Sequence, residues 1–172
     1  MKILQAMAGA EYGGAEAFFT RLSVAFQRAG VNQRVVMRPH EGRAKVLKSA
    51  GIAPVEMGFG GKLDIATRFG LKRQIKEYQP DIVLSWMNRA TSFCPQGDFT
   101  HVGRLGGFYN VKYYRNCDHL IANTSEIADY LVNSGWDRGR GHYLPNFVGG
   151  GRAQPVKRAE FYTPDTAPLI LA

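Results

Sequence analysis

The chain has 172 residues, of which 45% are apolar and 12% aromatic, so it can build a packed core and is not a disordered protein. Its 22 lysines and arginines against 14 aspartates and glutamates give a net charge of +8, which predicts attraction to phosphate-rich partners or anionic surfaces. The sequence has no apolar run of the ~18 residues that span a bilayer, and its first residues do not resemble a signal peptide. Cys94 and Cys117 are too few for a disulfide scaffold. We therefore expect a cytoplasmic protein with reduced thiols.

Short apolar runs alternate with amphipathic segments along the sequence. In chain order the pattern predicts strand 2–8, helix 15–29, strand 33–38, helix 43–50, strand 53–57, helix 62–79 and strand 81–86. It continues with a polar loop containing a short helical turn up to 99, strand 100–105, a helical stretch 110–115, strand 119–123, helix 124–133 and strand 142–144. Gly30, Gly51 and Gly135 follow three of the helices, as glycine commonly does.

This alternation is typical of the α/β class, in which helices cover both faces of a parallel sheet. We predict a Rossmann-like, doubly wound parallel sheet over residues 1–150. Glycines at 149–151 and the polar, proline-containing stretch after them indicate a linker over residues 151–168. The apolar run 169–172 begins a further strand, which we interpret as the start of a truncated second domain. A tail that adds an edge strand to the first sheet is the alternative.

The loops that follow the strands are where ligands collect in open parallel sheets. Gly13 and Gly14 follow the first strand and open a helix, where free backbone N–H groups and the helix dipole favour an anion. A tight turn with no ligand is the alternative. The order Gly-x-x-x-Gly-Gly is neither a dinucleotide fingerprint nor a Walker loop.

Polar side chains and further glycines follow the later strands. Arg89 and Arg104 can bind a phosphate or carboxylate, although Arg104 could equally be a surface arginine in a turn. The run Asn123-Thr124-Ser125-Glu126 is typical of a helix N-cap, because Asn, Thr and Ser all cap well, and Trp86 is expected in the core. The predicted donor-phosphate and acceptor cleft comprises Gly13, Gly14, Asn88, Arg89, Arg104, Gly106, Gly107, Asn123, Thr124 and Asn146.

No hydrolytic or metal-binding motif is present in the sequence. The four histidines are not tied by spacing to a serine or cysteine nucleophile, and no close cluster of His, Asp and Glu suggests metal ligands. We therefore predict no metal and no cofactor.

The helix predicted over 62–79 has an unusual outer face. Leu63, Leu71, Ile75 and Tyr78 share the side that we assign to the core. The opposite side mixes basic and apolar residues, as a helix on an anionic membrane surface does, although a solvated basic face is the alternative. The predicted membrane-facing residues are Lys62, Ile65, Phe69, Lys72, Arg73 and Lys76.

Several segments, taken in order, resemble retaining glycosyltransferases of family 4. They are Glu11-Tyr12-Gly13-Gly14-Ala15-Glu16 before a helix ending in Arg28-Ala29-Gly30-Val31, then Pro80-Asp81-Ile82-Val83-Leu84-Ser85, Ala122-Asn123-Thr124-Ser125 and Tyr143-Leu144-Pro145-Asn146-Phe147-Val148. The resemblance implies one half of a GT-B fold, the half that holds the acceptor, with Gly13 and Gly14 near the donor phosphates. It also implies that 169–172 begin the C-terminal donor-binding domain with its Glu-x7-Glu motif. Many relatives carry a catalytic histidine where this chain has Arg104-Leu105-Gly106-Gly107, so none is assigned.

Together these patterns predict the acceptor-binding domain of a hexosyl-type, retaining glycosyltransferase. The whole enzyme would move a sugar from a nucleotide-sugar to a glycan or lipid-linked acceptor in envelope polysaccharide or lipopolysaccharide synthesis, peripheral on the inner face of the membrane. The fragment alone would be inactive. The alternative is a stand-alone, non-catalytic phosphate- or nucleotide-binding domain. A nucleic-acid partner is not expected, because no nucleic-acid motif accompanies the positive charge.

Overall fold

The protein is a seven-stranded parallel sheet over the residues that the computed structural model describes, namely 1–61, 63–148, 160, 164 and 166–168. The strands are β1 (Lys2–Met7), β2 (Asn32–Met37), β3 (Val55–Glu56), β4 (Ile82–Trp86), β5 (Thr100–Leu105), β6 (His119–Ala122) and β7 (Gly141–Tyr143). Their order in the sheet is β3-β2-β1-β4-β5-β6-β7. The order reverses between β1 and β4, and the general rule for open parallel sheets makes the carboxyl ends of those two strands the candidate ligand crevice.

Helices connect the strands on both faces of the sheet. They are α1 (Gly14–Arg28), α2 (Glu41–Ser49), α3 (Ile65–Tyr78), α4 (Met87–Phe93) and α5 (Ser125–Asn133), with short 3-10 helices at Val111–Tyr114 and Arg138–Arg140. Gly30 and Gly135 adopt left-handed backbone angles, φ 69° and φ 87°, just beyond α1 and α5, and so end those helices as the sequence predicts. The α/β, doubly wound fold is thereby confirmed.

The start of α3 differs from its prediction. The helix begins at Ile65, because the Asp64 carboxylate accepts a hydrogen bond from the Thr67 backbone N–H at 2.9 Å and caps it. Leu63 lies before the helix and is 89% exposed, so its assignment to the core face is wrong. Leu71, on the same predicted face, is fully buried.

The segment after β4 is more regular than predicted. It is the helix α4, which continues directly from the strand, with Met87 at a left-handed φ of 58° making the turn. Ser85 and Trp86 belong to the strand, and Trp86 is buried as expected.

The core lies on both faces of the sheet, as alternation along β1 requires. Ile3 and Met7 pack in the cluster that contains α1 and α2, whereas Leu4 and Ala6 pack in the cluster that contains α3 and α4. A third cluster fills the space between β5, β6 and α5. The two layers hold the central strands rigidly, so groups at their carboxyl ends have fixed positions.

A polar cluster is enclosed in this core. His101 Nε2 lies 2.8 Å from Ser85 Oγ, which lies 2.8 Å from Thr91 Oγ1, and His101 Nδ1 lies 3.3 Å from the Asn116 carbonyl oxygen. Burial lowers the pKa of His101, against the opposing effects of the Asn116 carbonyl and Asp118. Because His101 and Ser85 are buried, this Ser–His pair has a packing role. Cys94 and Cys117 are free thiols that are also buried.

Some predictions fall on residues outside the described part of the chain. The linker over 151–168 is described only at 160, 164 and 166–168, and Lys62 and the run 169–172 are outside it altogether. Within the described ranges, none of the helices combines the length and the apolar character needed to cross a bilayer.

Candidate functional site

The loop between β1 and α1 is shaped by the carboxylate of Glu16. This side chain is buried, and its Oε1 accepts a hydrogen bond from the Ala10 backbone N–H at 2.7 Å. A Cβ atom on Gly9 would lie 2.6 Å from Glu16 Cγ, and one on Gly13 would overlap Glu16 Oε2. A side chain at either position would therefore displace the Glu16 carboxylate from beneath the loop.

Gly14 differs from its neighbour because its free face is open. A Cβ atom at Gly14 would have no atom within 4 Å beyond its own chain neighbours. Gly14 is the first residue of α1, and the N-terminal turn of a helix presents unbonded N–H groups and a partial positive charge. A ligand can therefore approach the backbone here more closely than at a residue with a side chain.

Arg43 of α2 holds the same loop from the other side. Its Nη2 donates hydrogen bonds to the carbonyl oxygens of Ala10 at 3.1 Å and Glu11 at 3.4 Å, and the side chain is buried. Burial lowers the pKa of Arg43, whereas the nearby Glu16 carboxylate raises it. The sequence patterns do not predict the role of Glu16 or that of Arg43. Glu16 bonds to Ala10, six residues away, whereas only tertiary contact brings Arg43 of α2 to this loop.

Arg104, near the end of β5, is 4% exposed rather than a surface arginine. Its Nη2 donates to Asn146 Oδ1 at 2.7 Å and to the Leu144 carbonyl oxygen at 3.1 Å. The guanidinium lies 4.8 Å from the centre of the Phe18 ring and 5.4 Å from that of Trp86. Burial lowers the pKa of Arg104 to about 10. Among the described residues no carboxylate pairs with it.

A small recess beside Arg104 is lined by four of the ten predicted cleft residues. It has room for a water-sized group and is lined by Ala15, Trp86, Met87, Arg104, Leu105, Gly106, Asn123 and Asn146. Asn123 Oδ1 is buried there without a hydrogen-bond partner in the described part of the chain, so it can accept from a ligand hydroxyl or a water. Gly106 lies against Ala15 at the start of α1, so the recess adjoins the Gly14 approach.

Other predicted residues are placed differently. Arg89 is exposed on α4, and its Nη1 donates to the Phe59 carbonyl oxygen at 3.5 Å. Asn88 is half-buried on the same helix, and Gly107 lies against the Tyr109 ring. Thr124 Oγ1 accepts from the Ile127 backbone N–H at 3.3 Å, which confirms it as the cap of α5.

The segment that follows β7 is fixed to the same region. Besides the bond from Arg104 to Asn146, the Phe147 ring packs edge-on against Phe18, with 5.0 Å between the ring centres. Phe18 in turn contacts Trp86 at 6.0 Å. The chain leaving the sheet is thus anchored at the carboxyl edge, next to the recess.

The comparison with family models decides the identity of this domain. The model described as Glycosyltransferase Family 4 matches residues 12–149, which is most of the chain. The chain belongs to glycosyltransferase family 4. The family predicted from the sequence is thereby confirmed.

Relatives of this family-4 domain extend well beyond it. The lipopolysaccharide core biosynthesis glycosyltransferases LpsE and LpsD of Rhizobium meliloti (strain 1021) are each 32% identical to it, over 93% and 99% of this chain and 48% and 50% of their own length. The chain therefore spans about half the length of the curated relatives it matches. The crystal structure of Anabaena Alr3699/HepE in complex with UDP-glucose matches with a TM-score of 0.67 and 15% identity, covering 85% of this chain and 44% of that one. This match confirms the Rossmann-like half of a GT-B fold.

A second groove in the family-4 domain lies between the β1–α1 and β2–α2 loops, and the sequence analysis did not include it. It has a volume of about 620 Å³ and is lined by residues 9–12 and 38–42. Tyr12 at its rim is 80% exposed and meets His40 edge-on, with 6.1 Å between the ring centres. The signal that could have indicated it is the position of His40, directly after a parallel strand.

A hollow at the opposite, amino-terminal edge of the sheet is a poorer candidate. Its arginine, Arg34, donates to Gln74 Oε1 at 3.0 Å, lies 3.9 Å from a Glu77 oxygen and stacks over Tyr78. Its charge is therefore already compensated. Within the described ranges, no group of three or more His, Cys, Asp or Glu side chains is placed to share a metal ion.

The outer face of α3 is exposed in this family-4 domain. Ile65 is 60% and Phe69 69% exposed, and Lys72, Arg73 and Lys76 are also exposed on the helix. These positions follow one another at helical spacing and so form a single stripe, which is called the α3 stripe below.

Proposed function

We propose that this chain is the acceptor-binding half of a glycosyltransferase that moves a sugar from a nucleotide-sugar to a glycan or lipid-linked acceptor in lipopolysaccharide or related envelope polysaccharide synthesis. The carrying observation is that a family-4 chain gathers an open Gly14, an uncompensated Arg104 and Asn123 at the switch point of its sheet. The names of LpsE and LpsD support the pathway, and the UDP-glucose complex of HepE supports the donor class.

In this proposal the chain's own groups stabilise negative charge at the donor. The first turn of α1 offers backbone N–H groups, and Gly14 lets a phosphate come close to them. Arg104 adds a buried positive charge next to the same turn, where its effect on a departing nucleoside diphosphate is largest. We extend the proposal to a hexosyl transfer with retention of configuration, without a metal or a cofactor, and with most donor contacts supplied by a second domain.

The test of this function is a transfer assay on the full-length protein with a panel of nucleotide-sugars and rough lipopolysaccharide as acceptor. We expect transfer with at least one donor, retention at the anomeric carbon by NMR, undiminished rates in EDTA, and no turnover by residues 1–172 alone. Turnover by the 172-residue chain would contradict the two-half proposal. Nucleotide binding without any transfer by the full-length protein would favour the stand-alone binding domain.

We also propose that the α3 stripe rests on an anionic membrane surface, which would place the enzyme at the inner face of the cytoplasmic membrane. Two exposed apolar side chains beside the exposed Lys72 and Lys76 support this, because the apolar groups can enter the headgroup region while the lysines face the lipid charge. Arg73 is paired with Glu77, whose oxygen lies 3.7 Å from Arg73 Nε. Lys72→Glu with Lys76→Glu should weaken sedimentation with phosphatidylglycerol vesicles. The control is Lys45→Glu with Lys48→Glu on α2, which changes the net charge by the same amount. An equal loss of vesicle binding in both double variants would show that net charge alone, and not the α3 stripe, determines the binding.

A further inference from the structure

The groove between the β1–α1 and β2–α2 loops has the composition of a saccharide site. Tyr12 presents an exposed ring at its rim, and polar side chains such as His40 and Glu41 alternate with apolar surface along the rest. Sites for small polar ligands combine an aromatic surface with a few placed hydrogen-bonding groups in this way. Its volume of about 620 Å³ is within the usual range for small-molecule sites.

His40 supplies a donor whose direction is fixed by the fold. Its Nδ1 accepts a hydrogen bond from the Arg43 backbone N–H at 3.0 Å, which caps α2. In a neutral imidazole, a nitrogen that accepts leaves the proton on the other nitrogen, so Nε2 is a donor. Nε2 bonds to none of the described residues and remains free for a ligand oxygen.

The charges around the groove argue for an uncharged ligand. Arg38 is opposed by Glu11 and Glu41 along its lining, so the lining has no positive excess that would attract phosphate. The recess at Arg104 has the opposite character, with a cation and no carboxylate. Adjacent sites of different charge are suited to two different parts of a reaction.

The groove is also rigid enough to select a ligand. Arg43 holds the carbonyl oxygens of Ala10 and Glu11, and Glu16 holds the Ala10 N–H, so the loop that carries Tyr12 is tied on both sides. Less ordering entropy is therefore lost when a ligand binds.

We infer that this groove binds a neutral sugar ring of the acceptor, with Tyr12 stacking on the ring and His40 Nε2 donating to a ring hydroxyl. The inference deepens the proposed function and depends on it only for the assignment of the sugar to the acceptor. Tyr12 directly precedes Gly13, so a ring in the groove lies beside the approach to Gly14 where the donor phosphate is proposed.

The test is saturation-transfer NMR on the full-length protein, without donor, using the methyl glycosides of glucose, galactose and mannose as probes. Tyr12→Ala should weaken binding of the preferred glycoside by about tenfold or more, and Tyr12→Phe should retain it. His40→Asn should also weaken it by about tenfold, because asparagine keeps the helix cap but loses the Nε2 donor. Tyr113→Ala, at another partly exposed tyrosine, is the control and should bind like the wild type.

Inorganic phosphate should not displace the glycoside. The inference is overturned if no glycoside binds the wild type, if Tyr12→Ala and His40→Asn bind as tightly as the wild type, or if phosphate competes. Because the assay needs no turnover, glycoside binding that depends on Tyr12 would stand even if the full-length protein transferred no sugar. Transfer that is unaffected by Tyr12→Ala would refute the groove and leave the proposed function intact.

Discussion

Substituting Gly14 by alanine should raise the free energy of unfolding and lower the activity of the enzyme. Gly14 is helical, its φ is not left-handed, and the new methyl group would meet no atom within 4 Å. Replacing glycine by alanine at such a position reduces the freedom of the unfolded chain, so the free energy of unfolding should rise by about 0.4–1 kcal/mol. For a chain of this size the melting temperature should rise by roughly 1–4 °C.

The same methyl group occupies the face by which a donor phosphate would reach the first turn of α1. A hydrogen bond to a charged group is worth about 1.5–3 kcal/mol, so losing one should lower kcat/KM by about ten- to hundredfold. The assay measures initial rates of the full-length enzyme against donor concentration, with urea unfolding on the same samples. Gly61→Ala is the control, because its Cβ position is equally open. Unchanged kcat/KM in a stabilised Gly14→Ala enzyme would refute the phosphate approach, and a loss of stability would refute the conformational argument.

Three further predictions follow from buried positions. Gly103→Ala should lower the free energy of unfolding by about 1–3 kcal/mol in urea titration, because the new Cβ would lie 2.8 Å from Tyr114 Cδ1 inside the core; an unchanged midpoint would contradict this packing. Arg104→Met should lower the free energy of unfolding by less than about 3 kcal/mol, because the lost hydrogen bond to Asn146 is partly offset by no longer burying a charge. The same variant should raise the KM for the donor about tenfold. A KM equal to that of the wild type would exclude an anion at Arg104. Burial lowers the pKa of His101 below its unfolded value of 6.5, so on acidification the unfolded state binds the extra proton first. The free energy of unfolding should therefore be full above pH 6.5 and fall as the pH drops towards the folded pKa, by at most about 1.4 kcal/mol per pH unit. His101→Gln should flatten this slope in urea titrations, and an equally steep slope in the variant would assign it to other groups.

The fold was predictable because apolar periodicity and helix-ending glycines act locally. Strands such as β4 and helices such as α1 agree with the sequence pattern to within one or two residues. The start of α3 was predicted three residues too early. The periodic apolar pattern includes Leu63, but the Asp64 carboxylate caps the helix and so makes Ile65 its first residue. After β4 the sequence predicts a polar loop with a short helical turn, and the structure has the helix α4 there, which at seven residues is too short for a clear periodic pattern.

The candidate site follows from the sequence as a location but not as a set of contacts. The carboxyl-edge rule for parallel sheets indicates the loops that follow the strands, and the fold brings Arg104, Gly106, Asn123 and Asn146 to one recess. It gives no information on burial, so a surface arginine remained an alternative for Arg104. The role of Arg43 depends on contact between α2 and the β1–α1 loop, which no local pattern encodes. Glu16 and His40 bond to groups within six residues along the chain, and no motif marks them.

Arg104 contacts two parts of the molecule, the recess and the segment that follows β7. Its guanidinium faces the recess while it also binds Leu144 and Asn146, in the segment that leaves the sheet. If an anion drew the guanidinium towards the recess, the hold of Arg104 on that segment would weaken. By thermodynamic reciprocity, any force that repositions the segment changes the anion's affinity by the same factor. Arg104 can therefore couple the position of the segment after β7 to anion binding in the recess.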